Sequence, residues 1–255
     1  MTTEYLRTLA RQSESLAHSL DRHPLVGSVI SGDARQQDYA RFLIATYHYL
    51  RWSGFLLART AQGLWQSGRS PSLRPALEAK AEEEAPHDRW VLQDLKNLGI
   101  NPELVKGSAV PTAVRAYVEW SLTLAEAGSP AFLGAAYTLE YISMRRAKPS
   151  AENLRNRAAI PNVGRALRFL DGHGEADEGH IAELETVLRG VEDEHDQADI
   201  TLSAEVMCRL YPAFFALPSP LLSLEVQPSH RSHLRPFSIL PCDSPDQSLA
   251  TQPRS

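Results

Sequence analysis

The sequence predicts an all-α protein: one bundle of about seven helices followed by an irregular tail. Three observations predict it. Apolar residues recur at helical spacing almost throughout residues 1–216. Helix breakers and capping residues stand at the ends of these stretches. No stretch shows sustained period-two alternation bounded by hairpin turns.

The first helix carries Leu6, Leu9, Leu16 and Leu20 on one stripe and stops at His23-Pro24. A second, from about Gln37 to Gln66, has Tyr39, Phe42, Leu43, Tyr47, Leu50 and Phe55 over much of its circumference, the pattern of a central helix. The third covers about Ser72 to Leu98 and ends at Gly99, a natural C-terminal cap. Pro111 suits the first turn of a fourth helix ending near Gly128, and Ser129-Pro130 opens a fifth that reaches Arg146. The last two run from about Gly164 to Leu188 and from about Asp196 to Phe215.

Of 17 prolines in the 255 residues, eight lie between Pro212 and Pro253. Residues 217–255 are also rich in serine and lack periodicity, so they read as an irregular tail and residues 1–216 as the domain.

Composition excludes several functions. With 26 basic against 31 acidic residues, the net charge of −5 opposes binding to nucleic acid through phosphate neutralisation. Two cysteines support neither a disulfide framework nor a cysteine metal cluster. No apolar run is long enough for a membrane span, and the N-terminus has no signal-peptide core, so a cytoplasmic protein is expected.

Chemistry is concentrated in three places. His173, Asp177 and His180 fall at i, i+4 and i+7, on one helical face that continues to Leu170 and Leu184 and therefore looks inward. Asp171, Glu175 and Glu178 form the opposite, solvated stripe. Two imidazoles and a carboxylate in an inward row are costly unless a charge compensates them, and a divalent metal with nitrogen and oxygen ligands does so. The alternative is a polar helix that is simply rich in these residues. Second, Glu84 and His87 form an E-x-x-H pair, the spacing by which helical bundles hold carboxylate-bridged metals. Glu83 is the rival carboxylate, and Pro86 should kink the helix beside His87. Third, Glu140 is the lone acid in an apolar helix, so it needs a partner: a metal, or an arginine such as Arg145 or Arg146.

Taken together, E-E-x-x-H-D-x-W-x-L-x-D-L-x-x-L-G from Glu83 to Gly99, Leu139-Glu140, and H-x-x-x-D-x-x-H from His173 to His180 resemble the heme-oxygenase-like diiron oxidases and oxygenases. This superfamily also holds the TenA-type thiaminases and pyrroloquinoline quinone synthase. The resemblance covers about residues 15–215. It implies two iron ions ligated by Glu84, His87, Glu140, His173, Asp177 and His180, with O2 as co-substrate. It also implies an external electron donor and a small-molecule substrate, taken here as an amine or amino acid in specialised-metabolite biosynthesis, and it is compatible with a homodimer. Most such proteins take a further carboxylate from the second helix, but no acid lies between Asp38 and Glu78 here. His48 is the nearest substitute, and Glu78, Glu82 and Glu83 lie earlier on the third helix, with Lys80 seven residues before His87. The second metal site is accordingly expected to be the more labile. Tyr47, Trp52, Tyr137 and Tyr141 are candidates for lining a substrate pocket, with Arg145 or Arg146 for a substrate carboxylate.

Three competing readings follow other residues. A heme oxygenase would use His18 or His23 as the proximal ligand, and a thiaminase-type hydrolase would need Cys208 as nucleophile. A non-catalytic helical interaction module would need none of these groups.

Overall fold

A computed structural model describes residues 4–216, apart from the side chains of 174–178. The stretch expected as an irregular tail lies outside the described residues, as does the side chain of Asp177. The described residues run through eleven α-helices: α1 (Glu4–Asp21), α2 (Pro24–Ser31), α3 (Gln36–Leu50), α4 (Ser53–Ser67), α5 (Arg74–Glu84), α6 (His87–Asn97), α7 (Pro102–Lys106), α8 (Thr112–Glu126), α9 (Phe132–Arg157), α10 (Arg168–Arg189) and α11 (Glu194–Phe214). Short 3-10 turns stand at Pro71–Leu73 and Val163–Arg165. No strand occurs among the described residues, and none of their helices is long and apolar enough to cross a membrane.

The expected count of about seven helices is corrected: two of the elements read from the sequence are divided, the short helices α2 and α7 were not expected, and the fifth element is longer than read. The aromatic helix expected over residues 37–66 breaks at Arg51-Trp52 into α3 and α4. Phe42 through Leu50 are all buried, so α3 is wrapped on every side. Beyond the break, Gly54 lets α4 lie close on α5: a Cβ there would meet the Ala81 carbonyl oxygen at 2.8 Å. The helix expected over 72–98 divides at Ala85-Pro86, where proline cannot donate to the preceding turn. The fifth helix runs on past Arg146 to Arg157 with Pro149 inside it. A residue at 149 with an N–H would normally bond the Arg145 carbonyl, and the Arg146 guanidinium supplies that bond instead, at 3.2 Å.

Helix α9 is the hub and packs against α1, α2, α4, α10 and α11. Its first two turns, from Phe132 to Thr138, are buried without interruption, as expected of a helix surrounded by others. Gly134 lets α11 cross it at short range, since a Cβ there would fall 1.9 Å from the Ile200 carbonyl oxygen. The start of α10 is held to α6 by Asp94, whose carboxylate accepts from the backbone N–H groups of Arg168 at 3.0 Å and Phe169 at 2.8 Å. These contacts bring the C-terminus of α5, the N-terminus of α6, the middle of α9 and one face of α10 to a single place.

Candidate metal centre

That place is a cluster of carboxylates and imidazoles. Glu84 closes α5 and His87 opens α6, so the E-x-x-H pair spans a helix junction rather than lying on one continuous helix. His87 Nδ1 donates to Glu84 Oε2 at 3.1 Å, and both residues are buried. His173 donates from Nδ1 to the Phe169 carbonyl oxygen at 3.0 Å, because a carbonyl can only accept. Both bonds leave Nε2 of each ring with its lone pair, the tautomer a metal ligand needs. The two rings meet edge to face with centroids 4.6 Å apart. Burial, with His87 adding to it, lowers the pKa of His173, so this imidazole stays neutral.

A second group of ligand atoms adjoins the first. Glu83, Glu140 and His180 each offer one, all within 4.8 Å of one another. Such separations suit ligands that share one ion at bond lengths of about 2 Å. His180 Nε2 lies 3.0 Å from Glu83 Oε1, while its Nδ1 lies 3.8 Å from Glu140 Oε2. Neither that nitrogen nor that oxygen has a hydrogen-bond partner among the described residues, and both are buried. A buried carboxylate oxygen and a ring nitrogen without hydrogen-bond partners are a cost that a cation would remove. The donor set therefore fits the metal that the sequence suggests.

Sequence reasoning noted Lys80 without assigning it to the site. Its ammonium lies 2.6 Å from Glu140, 2.8 Å from Glu83 and 3.4 Å from Glu84. The cationic partner of Glu140 is thus this lysine. Arg145 instead pairs with Glu14, and Arg146 makes a two-pronged contact with Asp21, both on α1. Burial alone would raise the Glu140 pKa, but His180 and Lys80 more than offset it and hold it at about 2. The Glu140 carboxylate in turn raises the pKa of His180. Lys80 is kept charged by Glu140 and Glu84 against the effect of burial.

Beside the cluster lies a cavity of about 100 Å³, whose walls include Val29, Phe42, Leu50, Phe132, Ile142 and Phe169. Lys80, Glu84, Glu140 and His173 also line it, and Arg146 contributes to its wall. Tyr47, Tyr137, Tyr141 and Arg145 do not. Tyr141 donates to Glu14 at 2.5 Å and Arg145 to the same carboxylate at 3.3 Å. Tyr47 lies beneath the Arg51 guanidinium, and Tyr137 is buried beside Tyr141. The tyrosines that do line the cavity are Tyr49 and Tyr211, whose hydroxyls are bonded to each other at 3.0 Å. Their shared signal in the sequence was helical burial alone. His48 stands apart, with Nε2 at 2.9 Å from Ser108 Oγ.

A family profile described as iron-containing redox enzyme matches residues 40–212, more than half of the chain. The chain belongs to this family of iron-containing redox enzymes. The matched span contains every carboxylate and imidazole of the cluster. Among solved structures, this iron-containing redox enzyme is similar to a domain of unknown function with a heme oxygenase-like fold from Shewanella denitrificans OS217. That likeness has a TM-score of 0.71 at 20% identity, covering 83% of this chain and 90% of that one. A TenA homologue from Pseudomonas syringae pv. tomato DC3000 matches with a TM-score of 0.67 at 15% identity, over 84% of this chain and 91% of that one. A TenA homologue from P. horikoshii OT3 matches with a TM-score of 0.67 at 16% identity, over 84% and 97%. At these identities the likeness shows the heme oxygenase-like fold. No curated protein matches the sequence.

Proposed function

We propose that this iron-containing redox enzyme is a non-heme diiron, O2-dependent oxidase or oxygenase acting on a small amine or amino acid with an apolar body. The observation that carries the reading is the Glu83, Glu140 and His180 group, whose ligand atoms lie within 4.8 Å of one another, beside the buried Glu84, His87 and His173. Glu84, His87 and His173 would hold one ion, and Glu83, Glu140 and His180 the other, with Asp177 completing the set implied by the sequence motif. Bound there, ferrous ions would supply the electrons that reduce dioxygen, and an external donor would restore them.

The chain's own residues do the rest. Glu84 and the Phe169 carbonyl fix the tautomers of His87 and His173 and so keep Nε2 available. Val29, Phe42, Leu50, Phe132, Ile142 and Phe169 exclude water from the reacting side and favour an apolar substrate body. Arg146 is better placed than Arg145 to meet a substrate carboxylate, since it lines the cavity. Its partner Asp21 would have to share it.

The rival readings find less support. His18 is exposed and faces Glu14 at 3.2 Å, while His23 accepts from the N–H groups of Leu25 and Val26 as the cap of α2. Burial raises the Cys208 thiol to about 11, which opposes the thiolate a nucleophile requires.

Anaerobic reconstitution with ferrous iron tests the reading. The wild type should bind iron and develop a transient visible band on exposure to oxygen, while Glu140→Ala and His173→Ala lose most of both. Variants that bind as much iron as the wild type would sink the proposed centre. Amines and amino acids with aliphatic or aromatic side chains should then change the lifetime of the band.

A further inference from the structure

The Lys80 ammonium sits among the carboxylates of the candidate metal group. Its two shortest contacts, to Glu140 and Glu83, are to two of the three residues whose ligand atoms converge on one point. Its third contact, to Glu84, reaches the other ligand group. An ammonium has three protons to donate, and here three carboxylates surround it. Glu83, Glu84 and Glu140 together carry three negative charges, of which Lys80 cancels one. The remaining two match a single divalent ion. Glu84 and Glu140 are buried and Glu83 is partly buried, and like charges this close in such surroundings are unfavourable without compensation, so removing the lysine leaves a site that calls for a second cation.

The cavities around Lys80 point the same way. It lines the apolar cavity beside His173 and Glu140 and also a second cavity of about 240 Å³ beside Glu83, His180 and Glu183. The lysine stands in the wall between them. Its four-carbon stem allows the ammonium to leave the cluster for the second cavity, where Glu183 is part of the lining.

Resting on the diiron reading, we propose that Lys80 is a built-in stand-in for the second metal. One divalent ion binds with the lysine in place, and the other enters the Glu83, Glu140 and His180 group only as the ammonium withdraws. The second site is weaker because the metal must displace a bound cation, and not because ligands are lacking.

The test is an anaerobic equilibrium titration of the full-length, metal-free protein with cobalt(II) chloride, read by bound-metal analysis and the cobalt absorption bands. The wild type should show one tight ion and a second weaker by at least about tenfold. Lys80→Met should bring the two affinities to within about threefold, while Lys80→Arg keeps the gap. Without metal, Lys80→Met should melt below the wild type and gain more from saturating cobalt, since its carboxylates have lost their cation. Two equally tight ions in the wild type would overturn the inference, whatever the variants do. So would an unchanged gap in a folded Lys80→Met protein. If the wild type binds no cobalt, the diiron reading itself fails; binding that ignores Lys80 refutes this inference alone.

Discussion

The indole of Trp90 packs on the imidazole of His87 with ring centroids 4.5 Å apart and meets His173 edge-on at 6.0 Å. Gly172 makes room for it: a Cβ there would meet the indole at 2.5 Å. One tryptophan of four therefore reports directly on two of the proposed ligands. A paramagnetic ion on those imidazoles should quench Trp90 and leave the other indoles comparatively bright. Ferrous iron or cobalt(II) is expected to remove part of the emission of the wild type. Trp90→Phe should lose most of that response while still taking up metal, because the indole supplies no ligand atom. Equal quenching in both proteins would place the metal elsewhere.

Asp94 acts one helix turn beyond Trp90 and positions His173 indirectly. It is fully buried, and its two oxygens satisfy the backbone N–H groups of Arg168 and Phe169, which open α10. Phe169 in turn provides the carbonyl that orients His173. Asp94→Ala would leave two buried donors unpaired, at a cost of about 2–4 kcal/mol by denaturant titration. Asp94→Asn retains one acceptor and should lose about half as much. If Asp94→Ala unfolds at the denaturant concentration of the wild type, the α6–α10 tie contributes nothing.

The crossing of α9 and α11 rests on Gly134. In an ordinary helix interior, glycine to alanine gains about 1 kcal/mol. Here the new methyl would strike the Ile200 carbonyl, so the helices that frame Glu140 must move apart. Gly134→Ala should lose about 1–3 kcal/mol of stability and weaken metal binding along with it. A variant more stable than the wild type would show that the crossing has slack.

How much of this was readable in the chain depends on the range of the contact. The helical class and most helix ends were legible because periodicity and caps are local. The break at Arg51-Trp52 was harder to see, since apolar spacing carries on across it, whereas Pro86 marked the disturbance that divides α5 from α6. Glu140 announced itself as a lone acid among apolar neighbours, but its partner did not. Lys80 has acids three and four residues ahead, which reads as an ordinary surface pairing, and its contact with α9 is long-range. Tyr141 and Arg145 seemed near the site because they share a helix with Glu140. They lie about 100° and 140° around it and face Glu14 of α1 instead.

His48 sets a distinct acid sensitivity in the core. It is buried on α3 with only Ser108 as hydrogen-bond partner; its Nδ1 has none among the described residues. Burial, reinforced by Arg51, lowers its pKa to about 4, against about 6.5 in the unfolded chain. The imidazole is therefore neutral in the fold, and below pH 6.5 the unfolded chain takes up a proton that the native state refuses. Stability from this group is complete above pH 6.5 and falls as the pH drops toward 4, by about 2 kcal/mol at pH 5. Asp94 works in the opposite sense over a similar window. Burial raises its pKa to about 6, so its contribution declines as pH rises from about 4 to 6. The two effects separate in a difference measurement. Denaturant titrations at pH 8 and pH 5 should show the wild type losing about 2 kcal/mol more than His48→Gln, which cannot be protonated and keeps a partner for Ser108. Asp94 contributes equally to both proteins and cancels. Equal losses would mean that His48 is already charged in the native core.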